Sequence, residues 1–86
     1  MPEISRFFGI VIRMYFDDHD PPHFHAAYGG AEAQVGINPI EVMRGGLPPR
    51  AASMVLEWAA LHQRGLMENW TRLHTERGAQ KIAPLR

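Results

Sequence analysis

Residues 23–37 read HFHAAYGGAEAQVGI, and this stretch decides the architecture. His23 to Tyr28 alternates with period two. Gly29-Gly30 then has the composition of a tight hairpin connection. Past the turn, Ala31, Ala33, Val35 and Ile37 fall on one side of an extended chain, the apolar face of a second strand. Two strands joined this tightly pair antiparallel. Upstream, Ile10, Ile12, Met14 and Phe16 point one way while Val11, Arg13 and Tyr15 point the other. A shorter strand around Ile4 to Phe8 precedes them, with Gly9 as the break. Downstream, Asn38-Pro39 turns the chain into a fifth short strand, Ile40 to Arg44, and Gly45-Gly46 ends the sheet region.

From Leu47 onward the period changes to that of a helix. Pro48 and Pro49 stand where a first helical turn accepts proline. At ~100° per residue, Ala51, Met54, Val55, Trp58, Ala59, Leu66 and Leu73 share one face. Ser53, Glu57, Arg64, Glu68 and Thr71 lie opposite. Gly65 is the expected point of a split or a bend, and Gly78 the expected stop. Lys81-Ile82-Ala83 has the makings of a terminal strand. If the helix runs through Gly65, a second apolar stripe of Ala52, Leu56, Ala60, Met67 and Trp70 needs a cover, such as a second helix, a twin subunit or a partner protein. The expected fold is α+β: an antiparallel meander of four to five strands packed on a C-terminal helix or helix pair, one domain over residues 1–86.

Composition narrows the function classes. At 86 residues the chain makes one small domain, a size at which a twin copy or a partner adds useful burial. Nine basic and nine acidic side chains balance, which disfavours non-specific nucleic-acid binding while leaving room for a local basic patch. With no cysteine, disulfides, thiolate zinc sites and cysteine nucleophiles are excluded. Charges at Glu3, Arg6, Arg13, Asp17 and Asp18 break up the first twenty residues, and no apolar run reaches the ~20 residues of a membrane span. A cytoplasmic chain with no membrane segment is expected. No transcription-factor helix-turn-helix with a basic recognition helix is visible.

The chemistry-bearing stretch is HDPPHFH, residues 19–25. On a strand, His23 and His25 share a face with Cα atoms ~6.5–7 Å apart, a spacing that suits two imidazoles on one metal ion, zinc or another divalent metal. His19 is the expected third ligand, with Asp17, Asp18 and Asp20 as further candidates in the same loop. Pro21 and Pro22 stiffen it. Three readings stand open: a metal site, a catalytic or ligand-binding site without metal, and a rigid turn with histidines on an ordinary solvated sheet face. Arg13, Tyr15, Glu32, Gln34 and Glu41 are the expected neighbours on that face. His62 and Asn69 fall on the apolar side of the helix, where polar side chains need partners. They would hydrogen-bond to the sheet backbone or reach a pocket, and His62 has a route to the histidine strand.

MPEISRFFGIVIRMYF, DDHDPPHFHAAYGG and LEWAALHQRGLMENW together resemble a family of small bacterial proteins known as domain of unknown function 4160, over nearly the whole chain. The resemblance marks His19, Pro21, Pro22, His23, Phe24, His25, Glu57, Trp58, His62, Asn69 and Trp70, and implies no established catalytic role for any of them. It implies a toxin–antitoxin-like two-gene module acting through protein–protein contact, the partner being a small protein from the adjacent gene, a second copy, or both. The alternative is a histidine-centred metal-binding protein or small nuclease-type enzyme. Ala27 and Gly65 depart from the pattern, where longer polar side chains are expected. Loss of a basic residue at Ala27 would weaken anion or RNA binding on that face.

Overall fold

The hairpin at Gly29-Gly30 joins two neighbouring strands inside the observed sheet. In the computed structural model, which describes residues 3–75 and 77–86, Gly29 takes a positive φ of 58°, a conformation glycine adopts at low cost. The strands it joins are β3 (His23–Tyr28) and β4 (Ala31–Ile37), paired Phe24 to Val35 and Ala26 to Ala33. All four of those side chains are buried against the helices. On the flanks, β2 (Ile10–Arg13) pairs with β3, β1 (Glu3–Phe7) with β2, and β5 (Ile40–Gly45) with β4. The sheet is a five-stranded antiparallel meander in chain order. Two helices follow, α1 (Pro49–Leu61) and α2 (Gln63–His74). The expected α+β fold is the observed one.

One strand ends earlier than its pattern implies. The alternation continues to Phe16, yet β2 stops at Arg13 and Phe16 is 73% exposed. Met14 stays buried, and the backbone then turns, with Asp18 N–H donating to the Tyr15 carbonyl at 3.3 Å. Arg13 pairs with His25, so the first two residues of β3 extend past the end of β2. The sheet edge left open there receives the loop of residues 14–22. This offset creates the site described below.

The helical half breaks at His62 instead of Gly65. His62 has φ −121° and ψ 24° and separates the two helices. At the start of α2, Gln63 Nε2 donates to the Ile37 carbonyl at 2.7 Å, tying the helix to the end of β4. Trp58 fills the centre of the core, its ring 5.4 Å from Phe7 and 5.7 Å from Phe24. Because the helix is broken, the second apolar stripe is not continuous. Trp70 of that stripe is buried in the core and Leu56 and Met67 pack against it, as do Ala79, Ile82 and Leu85 of the C-terminal tail. The tail carries no regular strand, but Ile82 N–H donates to the Ile4 carbonyl at 2.8 Å and covers the β1 edge. Asn69 clasps the Gln80 main chain with two 2.8 Å bonds, and Trp58 Nε1 donates to the Ala83 carbonyl at 2.8 Å. Among the described residues, no helix is long and apolar enough to cross a membrane.

Gly65 lies inside α2, where a Cβ would meet Ile82 at an ordinary contact distance of 3.7 Å. Glycine costs about 0.5–1 kcal/mol relative to alanine in a helix. Gly65→Ala is therefore expected to raise stability by about that amount, read as a higher urea midpoint at unchanged slope. A lower midpoint would mean that Ile82 cannot accommodate the methyl group.

Candidate metal centre

His23 and His25 do not lie on a solvated face. Their side chains are only 9% and 12% exposed, because the loop of residues 14–22 folds over them. The loop delivers Asp18: its Oδ2 lies 3.0 Å from His25 Nε2 and 3.5 Å from His23 Nε2. Asp18, His23 and His25 each turn one ligand atom to a common point, all within 4.8 Å of one another. Around a tetrahedral zinc with bonds of about 2.0–2.1 Å, neighbouring ligand atoms stand about 3.3 Å apart. The two Asp18 distances bracket that spacing.

The opposite ring nitrogens are also held. His23 Nδ1–H donates to the Pro21 carbonyl at 2.9 Å. His25 lies between two carboxylates, its Nδ1 3.2 Å from Glu32 Oε2 and its Nε2 3.0 Å from Asp18 Oδ2, and the tautomer with hydrogen on Nδ1 leaves Nε2 open as a ligand atom. Metal-ligating histidines characteristically donate their second ring N–H in this way, to a carbonyl or a carboxylate, which fixes ring and tautomer. With hydrogen on each Nδ1, each Nε2 presents a lone pair toward Asp18 Oδ2. An ionised carboxylate only accepts, so lone pairs then face each other at 3.0 Å and 3.5 Å. Two further protons, or a single cation between the three atoms, resolve that conflict. Asp18 and Glu32 together also carry the charge that a divalent cation balances.

The surrounding elements hold the group in place. Tyr15 lies edge-on to His25 with ring centres 4.9 Å apart, and Trp70 of α2 stands 5.5 Å from the His23 ring. Arg13 and Gln34 are the register neighbours of His25 on β2 and β4, and residues directly opposite share a face. Arg13 Nε is buried with no hydrogen-bond partner among the described residues. Glu41 pairs with Gly36, itself opposite His23, one strand further out. The neighbours expected from the alternation are thus the observed ones, with Glu41 the most remote.

His74 fastens the ligand loop to α2. Its Nδ1–H donates to the Trp70 carbonyl and its Nε2–H to the Asp18 carbonyl, both at 2.8 Å. Both partners accept, so both ring nitrogens carry hydrogen, and these bonds, to Asp18 foremost, hold the pKa above the ordinary 6.5. A raised pKa stabilises the fold fully below the ordinary value, and that contribution is lost as pH rises through the raised one. Compared with His74→Gln in metal-free protein, wild type should lose stability as pH climbs above about 6.5. Urea midpoints across that range measure it, and parallel curves would eliminate the fastening.

The other sequence candidates lie elsewhere. His19 is exposed and outside the convergent group, and Asp18 stands in the position expected for it. His62 sits at the helix joint, its ring 5.5 Å from Trp58 and likewise outside the group. Asn69 is buried and serves the tail, not the sheet backbone. Sequence reasoning names Asp18 only as one alternative and misses His74 entirely. The signal for Asp18 is the offset between the ends of β2 and β3, which depends on pairing register.

A family model described as "Domain of unknown function (DUF4160)" matches residues 9–71. The chain belongs to this family. The matched span holds Asp18, His23 and His25 of the DUF4160 chain, whereas His74 and the tail lie beyond it. No curated protein and no solved structure gives a match.

Proposed function

We propose that this DUF4160 chain holds one divalent transition metal, zinc or an ion of similar preference, on Asp18 Oδ2, His23 Nε2 and His25 Nε2. The observation that carries the reading is the convergence of both Nε2 atoms on one carboxylate oxygen while both Nδ1–H groups are held from behind. Two histidines and a carboxylate leave coordination positions free for water and a substrate oxygen, the arrangement of catalytic more than of structural metal sites. Such an ion polarises a bound oxygen and lowers the pKa of a bound water. Hydrolysis of a polarised ester is the reaction class this favours, with Arg13 adding positive charge on the same face.

Elemental analysis of purified wild type should return about one metal per chain, and Asp18→Ala should return none. His19→Ala should keep the metal. Wild type without metal after reconstitution and dialysis would eliminate the centre, and loss in His19→Ala would move the ligand set. A second reading, the protein-binding half of a cytoplasmic two-gene module, draws on the family resemblance. It also draws on an apolar cleft of about 250 Å³ bordered by Phe8, Tyr28 and Met54. Co-purification with the adjacent gene's product tests it.

A further inference from the structure

A larger cleft of about 450 Å³ lies between α2 and the C-terminal tail. It is separate from the metal-ligand group and shares no lining residue with it. Arg64, Glu68, Thr71 and Arg72 border it from the helix, Arg77 and Gln80 from the tail. Three guanidiniums thus meet in a chain with no net charge. Among the described residues, none of the three has a carboxylate within ion-pair distance. Glu68 offsets one, so these residues carry two net positive charges. Gathering like charges in this way is unfavourable unless an anion answers them.

The tail wall is fixed before any ligand arrives. Gln80 is held through its main chain by the Asn69 side chain, and Arg72 Nε donates to the Gly78 carbonyl at 3.0 Å. Among the described residues, no hydrogen bond engages the terminal nitrogens of Arg72. The volume falls within the range of small-molecule sites. No aromatic side chain lines it, so nothing is present to stack on a base, and the recognition elements address an oxyanion.

We propose that this cleft binds a small phosphate monoester. A phosphate monoester carries about −1.5 to −2 charges at neutral pH and three acceptor oxygens, which matches two net positive charges and the forked donors of arginine. A monocarboxylate would leave one charge unanswered. Long nucleic acid is disfavoured by the chain's charge balance outside this patch.

The test is a two-dimensional NMR titration of metal-free protein with glycerol 3-phosphate and, separately, inorganic phosphate. Saturable shifts are expected at Thr71, Arg72 and Gln80. Arg64→Ala and Arg77→Ala should each weaken binding about tenfold at unchanged thermal midpoint, because both side chains are exposed. Arg72 is left intact because it holds the tail. Inorganic phosphate binding as tightly as the ester would reassign the cleft to the free ion. Four results would overturn the proposal: no saturable shift at millimolar ligand, equal affinity for succinate, shifts centred on Asp18, His23 and His25, or binding of an RNA oligomer without binding of the monoester.

Discussion

Trp58→Ala is expected to lower the thermal midpoint by roughly 12–40 °C. The side chain is fully buried and contacts Phe7, Phe24 and His62 by its ring. Truncating a buried aromatic to alanine costs about 3–5 kcal/mol through lost transfer energy and the cavity left behind. In a domain of this size each kcal/mol moves the midpoint by about 4–8 °C. The whole domain has roughly 4–13 kcal/mol to lose, so the variant sits near or past the folding threshold. Trp58 also donates to the Ala83 carbonyl, so its removal frees the tail from α1. Trp58→Phe separates the two effects. It keeps most of the ring contacts and loses only the indole bond and some volume, so its deficit should be a fraction of the alanine variant's. Scanning calorimetry on both variants measures this, and an alanine midpoint within a few degrees of wild type would refute the central role given to the ring.

The meander is legible because period-two alternation and glycine turns are local signals. Ala31, Ala33, Val35 and Ile37 need no distant residue to declare a face, and Gly29-Gly30 names its own turn. The helix joint is not legible in the same way. Gly65 weakens the helix by propensity, yet the break falls at His62, where Gln63 reaches the Ile37 carbonyl. A tertiary bond twenty-six residues away in sequence outweighs a propensity difference of about 1 kcal/mol or less. The tail shows the same limit. Ile82 and Leu85 look like ordinary terminal residues until the β1 edge and Asn69 are placed beside them.

The site divides along the same line. His23 and His25 are legible as a pair because a strand puts alternate residues on one face. Their third companion is not, since Asp17, Asp18, His19 and Asp20 are equivalent in composition and differ only in how the loop closes. Closure depends on β2 ending at Arg13 while β3 begins at His23. Burial of the pair follows from the same offset, which is why an alternating pattern that predicts a solvated face yields an enclosed one. Glu32 behind His25 follows from hairpin register; His74 under Asp18 follows only from the packing of α2.

Adding zinc at a thousandfold excess over its dissociation constant is expected to raise the thermal midpoint by about 15–30 °C. An ion that binds the folded chain alone stabilises it by RT ln(1 + [L]/Kd), about 4.1 kcal/mol at that excess, and the domain's size converts this into degrees. The ligands are seven residues apart at most, but they converge only once β3 has its place in the sheet, so the unfolded chain offers no comparable site. His23→Ala with His25→Ala should abolish the shift. Because both imidazoles are enclosed and His23 packs on Trp70, the metal-free midpoint of the variant should also fall, and its zinc shift is read against that lower midpoint. Glu32→Gln separates a metal centre from a merely histidine-rich surface. Glu32 touches no metal in this geometry; it orients His25 from behind, and loss of such support weakens affinity about 10–100-fold. At fixed zinc the stabilisation should then fall by about 1.4–2.7 kcal/mol. Zinc held loosely by exposed imidazoles would be indifferent to a carboxylate on the far side of the ring. Equal shifts in wild type and Glu32→Gln would therefore count against the ordered centre even if the metal itself were bound.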